Sequence, residues 1–219
     1  MIMVYTLIGL VVGGVINYLA DTLPRRRSKS PRALLVRRLI TELVTAAVFA
    51  LLYAQPRFAD PLLLVLASFH ASVLILLTIT DLEHRRIPNK VIVPAIAIAA
   101  LTSFFWFGPG WYLALIGGAI SYGFFWLAAV IGGKAIGRGA MGGGDVKLAA
   151  FIGLITGVPG IITALVLTIL AGGIISALLL LVRIVNLRSG IPYGPFLVLG
   201  GFVTMVWGQQ IMNGFFFGG

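Results

Sequence analysis

Long runs of apolar residues constrain this chain more than any other feature of its sequence. A helix that crosses the roughly 30 Å hydrocarbon core of a bilayer needs about 20 such residues, and runs of this kind recur along the chain. Hydrophobic residues make up 60% of the 219 residues and charged residues only 10%, whereas soluble domains carry about 25% charged residues. The composition excludes a soluble enzyme and predicts an all-α integral membrane protein.

The longest apolar run, 148–182, is too long for one crossing because a straight helix of this length would extend about 52 Å. The sequence Gly157-Val158-Pro159-Gly160 interrupts it, as clusters of Gly and Pro do. Dividing the run there predicts a polytopic bundle of about eight transmembrane helices. The predicted spans are 2–20, 38–53, 62–80, 91–107, 111–133, 146–156, 160–182 and 195–212.

The basic residues indicate how the chain is oriented. With eight spans, fifteen of the sixteen Lys and Arg residues fall on one side of the membrane and only Arg57 falls on the other. Basic residues accumulate on the cytoplasmic side of membrane proteins, so we expect both termini outside and a short basic cytoplasmic loop at 24–38. The net charge of +10 is then a topology signal and an attraction for membrane lipid, with no nucleic acid implied. We expect one membrane-embedded domain, 1–219.

Two of the six acidic residues stand out once this topology is assumed. Asp81 falls at the cytoplasmic end of the third span and Asp145 at the cytoplasmic start of the sixth, so both reach the same membrane face. Ionisable residues in a bilayer are costly and are therefore candidates for function. Two carboxylates held close together share a proton. The charged one can activate a water while the protonated one polarises a scissile carbonyl.

Each aspartate also has a purely structural interpretation. Asp81 precedes Arg85 by four residues, the spacing of an ion pair on a helix surface. Asp145 is placed to act as the N-cap of the sixth span. Their shared membrane face favours the functional interpretation.

Several neighbours are candidates for supporting this pair. The three glycines before Asp145 would let another backbone approach closely, and Lys147 and His84 are near enough in sequence to tune a carboxylate. Glu42 begins the second span and could line the site or pair with Arg38. No cofactor or metal is expected, because the chain has no cysteine and its two histidines form no metal-binding motif. The supporting candidates are Gly142, Gly143, Gly144, Lys147, His84 and Glu42.

Short motifs along nearly the whole chain resemble, in the right order, those of the type IV prepilin peptidases, which are intramembrane aspartic proteases with a GxGD signature. Gly142-Gly143-Gly144-Asp145-Val146-Lys147-Leu148 is similar to the family's Gly-x-Gly-Asp-x-Lys-Leu. The segment from Asp81 to Pro88-Asn89 is similar to the one that carries the first catalytic aspartate. Further similar segments are Gly9 to Asn17 with Leu23-Pro24, Arg38 to Ala46, and Ile191-Pro192-Tyr193-Gly194-Pro195 with Gly200-Gly201.

The resemblance implies an endopeptidase of the inner (plasma) membrane that removes a basic leader from prepilin or pseudopilin substrates, with Asp81 and Asp145 as the catalytic residues. Many members carry a longer first cytoplasmic loop with CxxC motifs and a second, N-methyltransferase activity. This chain has no cysteine, which argues against methylation. Three alternatives stay open: an ion-coupled transporter, a relative that only binds prepilins, and another GxGD protease. The oligomeric state is not indicated by the sequence.

Overall fold

A computed structural model of the protein describes residues 1–23, 31–135, 142–182 and 193–216, and within these ranges it is helical and contains no strand. Two short 3₁₀ turns, Pro56–Phe58 and Gly108–Gly110, join helices. The α-helices are α1 Ile2–Thr22, α2 Pro31–Ala54, α3 Pro61–His84, α4 Asn89–Phe107, α5 Trp111–Ala135, α6 Gly143–Leu181 and α7 Gly194–Phe216.

The all-α prediction is confirmed, but the number of about eight helices is not, because the described residues form seven. The predicted spans 146–156 and 160–182 correspond to the two arms of α6, on either side of a kink. Its backbone leaves helical geometry at Gly157 (φ 61°) and Val158 (φ −94°, ψ 135°), within the predicted break. The positive φ at Gly157 explains the glycine, since other residues adopt this conformation at a cost.

Six of these helices are long and apolar enough to cross a membrane. The exception is α2. The predicted loop at 24–38 is too long, because α2 already begins at Pro31. Proline suits the first turn of a helix, and arginine and leucine are good helix formers.

Some residues used in the prediction of topology or in the C-terminal motif lie outside the described ranges. They are Pro24, Arg25, Arg26, Arg27, Lys29, Arg138, Arg183, Arg188, Ile191 and Pro192.

The chain divides into two compact units, Met1–Val91 and Ile92–Gly219. In the first unit, α1, α2 and α3 pack together. Gly13 permits the close approach of α1 and α2, because a β-carbon there would lie 2.7 Å from the Cα of Glu42. At one end of the unit, the Tyr5 hydroxyl lies 2.6 Å from Ser68 Oγ and joins α1 to α3.

In the second unit, the C-terminal arm of α6 runs antiparallel to α7. Gly172 lies against Phe196 near the start of α7, whereas Gly160 lies against Thr204, two turns further along α7. The residue numbers of the contacting positions therefore decrease along α6 as they increase along α7.

The N-terminal arm of α6 runs in the opposite sense. Ile152 packs against Gly201 in the middle of α7, while Asp145 lies close enough to Tyr193, just before α7, for its charge to act on the Tyr193 hydroxyl. The two arms of α6 thus reverse direction at Gly157. The reversal brings the start of α7 to the same end of this unit as the start of α6.

The packing of α5 on the first arm of α6 depends on small residues and yields a prediction. A β-carbon on Gly153 would overlap the carbonyl oxygen of Gly117 and the hydroxyl of Ser121, whereas a β-carbon on Gly173, in the same helix, would meet nothing within 4 Å. Gly153→Ala should lower the free energy of unfolding by about 1–3 kcal/mol, the usual cost of overpacking. Gly173→Ala should not lower it. Unfolding of both variants in mixed micelles measures the difference, and equal stabilities would contradict the packing.

Candidate functional site

Asp81 lies in the last turn of α3 and is buried, with 6% of its surface exposed. The helix ends three residues later at His84, and Arg85 adopts a left-handed conformation (φ 51°). The Arg85 backbone N–H donates to the Asp81 carbonyl oxygen at 2.8 Å. Arg85 therefore terminates α3. The suggested ion pair between Asp81 and Arg85 assumed that both residues lie on one helix surface, but the helix ends at His84.

Asp145 occupies the opposite kind of position, in the first turn of α6. It is the third residue of the helix, so the interpretation of Asp145 as the N-cap is wrong. Gly142 precedes the helix, and its backbone N–H donates to Asp145 Oδ2 at 3.3 Å. The Asp145 N–H donates in return to the Gly142 carbonyl oxygen at 3.0 Å. In such an arrangement, an acidic side chain in the first turn of a helix accepts a hydrogen bond from the backbone N–H of the residue that precedes the helix.

The glycines before Asp145 leave open space. A β-carbon on Gly143 would meet nothing within 4 Å, and one on Gly142 would come no nearer than 3.5 Å, to Asp145 itself. Around the β-carbon positions of these two glycines, no backbone atom of another described helix lies within 4 Å, and the close backbone approach expected from the sequence stays a prediction. Gly144 lies between them and Asp145 in the first turn.

Tyr193 is the residue near Asp145 that sequence reasoning did not select as part of the site. Its carbonyl oxygen accepts hydrogen bonds from the N–H groups of Phe196 and Leu197, both at 3.2 Å, so Tyr193 occupies the N-cap position of α7, which begins at Gly194. Its ring lies 6.2 Å from that of Phe125, centroid to centroid. Burial, together with the charge of Asp145, raises the pKa of the Tyr193 hydroxyl. The signal in the sequence was the C-terminal motif around Tyr193, which was noted only as a resemblance.

An ion cluster joins the three helices of the first unit at the end that carries Asp81. Arg37 Nη2 lies 2.8 Å from Asp21 Oδ1, and Arg38 Nη2 lies 2.9 Å from Asp21 Oδ2. Arg37 Nη1 also lies 3.5 Å from Glu83 Oε2. Only 12% of the Glu83 side chain is exposed.

Glu42 contacts α1 instead of pairing with Arg38. Asn17, which is buried, donates from Nδ2 to Glu42 Oε1 at 3.3 Å and to the Arg38 carbonyl oxygen at 3.1 Å. The Arg38 guanidinium is directed to Asp21. Glu42 thus anchors the α1–α2 interface, and a role in lining the site stays a prediction.

The two remaining candidates lie beside the aspartates in sequence. His84 ends α3, and its Nε2 is 3.8 Å from Glu83 Oε2. Lys147 follows Asp145 by two positions in α6, and residues two apart do not face each other on a helix. In the described part of the chain, no group of three or more His, Cys, Asp or Glu residues could hold a metal ion.

One known protein family matches this chain. The model of the type IV leader peptidase family matches residues 68–177, about half of the chain, and this segment contains both Asp81 and Asp145. No solved structure matches the chain.

The curated relatives agree with the family match. A prepilin leader peptidase/N-methyltransferase of Bacillus subtilis is 34% identical over 175 residues, which cover 78% of this chain and 66% of that protein. A protein of the same name from Xanthomonas campestris is 27% identical over 139 residues, with 62% and 47% covered. One from Pseudomonas putida is 27% identical over 197 residues, with 90% and 67% covered. The chain spans about half to two thirds of the length of these relatives. It belongs to the type IV leader peptidase family.

Proposed function

We propose that the protein is a membrane aspartic endopeptidase that removes the short basic leader from type IV prepilins or prepilin-like proteins at the cytoplasmic membrane face. The observation that carries this proposal is the family match over 68–177, because it includes both candidate aspartates. The names of the curated relatives support the same activity.

The helix positions of the two aspartates support different roles for them. A helix has a partial positive charge at its N-terminus and a partial negative charge at its C-terminus. Asp145, in the first turn of α6 and hydrogen-bonded to the Gly142 N–H, is placed where an anion is favoured. Asp81, buried in the last turn of α3, is placed where a neutral carboxylic acid is favoured. In the proposed reaction Asp145 removes a proton from water, and Asp81 donates a hydrogen bond to the scissile carbonyl.

Protons balance in this scheme. The water proton passes to Asp145 as the hydroxide forms its bond to the carbonyl carbon, and the Asp81 proton passes to the carbonyl oxygen. When the tetrahedral intermediate collapses, its hydroxyl returns a proton to Asp81. The proton held by Asp145 goes to the departing amine as the C–N bond breaks, and both aspartates recover their starting states. The open side of Gly142 and Gly143 offers room for an extended substrate backbone next to Asp145.

Removing either acid should stop the reaction. We expect Asp81→Asn and Asp145→Asn each to lower the cleavage rate by on the order of 10³-fold or more, because proton transfer by a positioned acid or base contributes 10²–10⁴-fold. The assay incubates each purified variant in liposomes with a leader-bearing prepilin and quantifies the cut product by mass spectrometry.

Asp60→Asn provides a matched control. Asp60 caps the N-terminus of α3 by accepting from the Leu62 and Leu63 N–H groups, and asparagine also serves as a cap. This variant should cleave normally. Normal cleavage by either Asp81→Asn or Asp145→Asn would overturn the proposal.

The same spectra test for methylation. Because the chain has no cysteine, we expect the new N-terminus of the product to carry no methyl group when S-adenosylmethionine is supplied as methyl donor. A parallel reaction with the Bacillus subtilis relative, whose name includes an N-methyltransferase, controls for donor quality. A methylated product from this chain would show that the cysteine motifs are dispensable for methylation.

Tyr193 reports the charge of Asp145. Since that charge contributes to the raised pKa of Tyr193, Asp145→Asn should lower this pKa, though not to the ordinary tyrosine value, because burial is the larger cause. The titration can be followed by NMR of ring-labelled tyrosine in micelles, with Tyr193→Phe to assign the signal. An unchanged Tyr193 pKa in Asp145→Asn would contradict the proximity of the Asp145 carboxylate to the Tyr193 hydroxyl.

A further inference from the structure

We propose that a groove between α2 and α3, in the unit Met1–Val91, binds one anionic phospholipid, with its phosphate at Arg32 and an acyl chain along the apolar wall. The groove has a volume of about 530 Å³. Apolar side chains line most of the groove, and the charged residues Arg32, Arg37 and Glu83 also line it. The lining residues that matter here are Arg32, Val36, Ile40, Ile79, Leu82 and Glu83.

Arg32 is the cation that this groove offers to a ligand. Arg37 also lines it, but its guanidinium is already held by Asp21 and Glu83. Arg32 is exposed, and no carboxylate in the described ranges lies within ion-pair distance of it. A phosphodiester would supply the missing negative charge.

The apolar wall has the chemistry of an acyl-chain site. Val36 and Ile40 lie one turn apart on α2, each 56% exposed, and Leu82 on α3 is 59% exposed. Starting from Arg32, these α2 positions follow at successive turns, so a chain anchored at the arginine can run along them. The sequence just before α2 contains four further cations, Arg25, Arg26, Arg27 and Lys29, and such clusters attract anionic lipids.

The groove is not on the face of α3 that carries Asp81. At about 100° per residue, Ile79 and Glu83 lie about 160° around the helix from Asp81. A substrate docked in this groove would lie on the far side of α3 from the catalytic candidate. This separation favours a lipid as the occupant and makes lipid binding independent of the proposed peptidase activity.

Native mass spectrometry of the full chain tests the proposal. The purified protein is mixed with phosphatidylglycerol or with phosphatidylcholine of the same acyl chains, and the retained lipid is counted. We expect one phosphatidylglycerol to be retained in preference to phosphatidylcholine. Arg32→Gln should reduce that preference about fivefold, the effect expected of one basic side chain at an anionic surface. Arg32→Lys should keep it. Val36→Trp, which fills the groove, should reduce the retention of both lipids.

Two variants serve as controls. Arg86→Gln removes an exposed cation near the same end of α3 that does not line the groove, and Leu101→Trp adds the same bulk at a residue of α4 that is 79% exposed. Both should bind lipid like the parent protein. Equal retention of the two lipids by the parent protein would overturn the proposal. So would an equal loss in Arg86→Gln and Arg32→Gln, or undiminished binding by a helical, monodisperse Val36→Trp.

Discussion

The free-energy cost of an ionised group in hydrocarbon governs the arrangement of this protein. Backbone N–H and C=O groups in a bilayer must be satisfied within the chain, which explains why the described residues are helical. Carboxylates face the same restriction and are stable only at helix ends or beside a partner. Asp21 and Glu83 are held by arginines, and Asp60 caps a helix. Asp81 and Asp145, at the ends of α3 and α6, are the two that the proposed chemistry uses.

The same constraint gives the two aspartates different surroundings. Asp145 receives a backbone N–H at the start of a helix, while Asp81 is buried at the end of one. Opposite ends of the helix dipole thus act on two identical side chains. In the proposed two-aspartate mechanism, one carboxylate accepts a proton from the attacking water and the other carboxyl group donates a hydrogen bond to the scissile carbonyl. In the proposed mechanism, helix position is the source of this difference.

The sequence predicted the helices well because the length of an apolar run reflects the thickness of the membrane. It also located the break in α6, since Gly157 and Pro159 disfavour a continuous helix. It failed where the outcome depends on contacts between distant residues. The Arg37–Glu83 ion pair and the proximity of Tyr193 to Asp145 involve residues from different helices, and no local pattern encodes them. Topology and resemblance selected both aspartates as candidates, and their catalytic role and their pairing stay proposals.

Cross-linking is the most direct measurement of that pairing. Because the sequence contains no cysteine, only the introduced thiols can react. Asp81→Cys and Asp145→Cys would be combined in one chain and treated in membranes with a short thiol-specific cross-linker, and the linked peptides would be identified by mass spectrometry. The account predicts an intramolecular link between positions 81 and 145, and none when Asp60→Cys replaces Asp81→Cys. Failure to link 81 to 145, while both thiols react with a monofunctional reagent, would contradict a shared catalytic site.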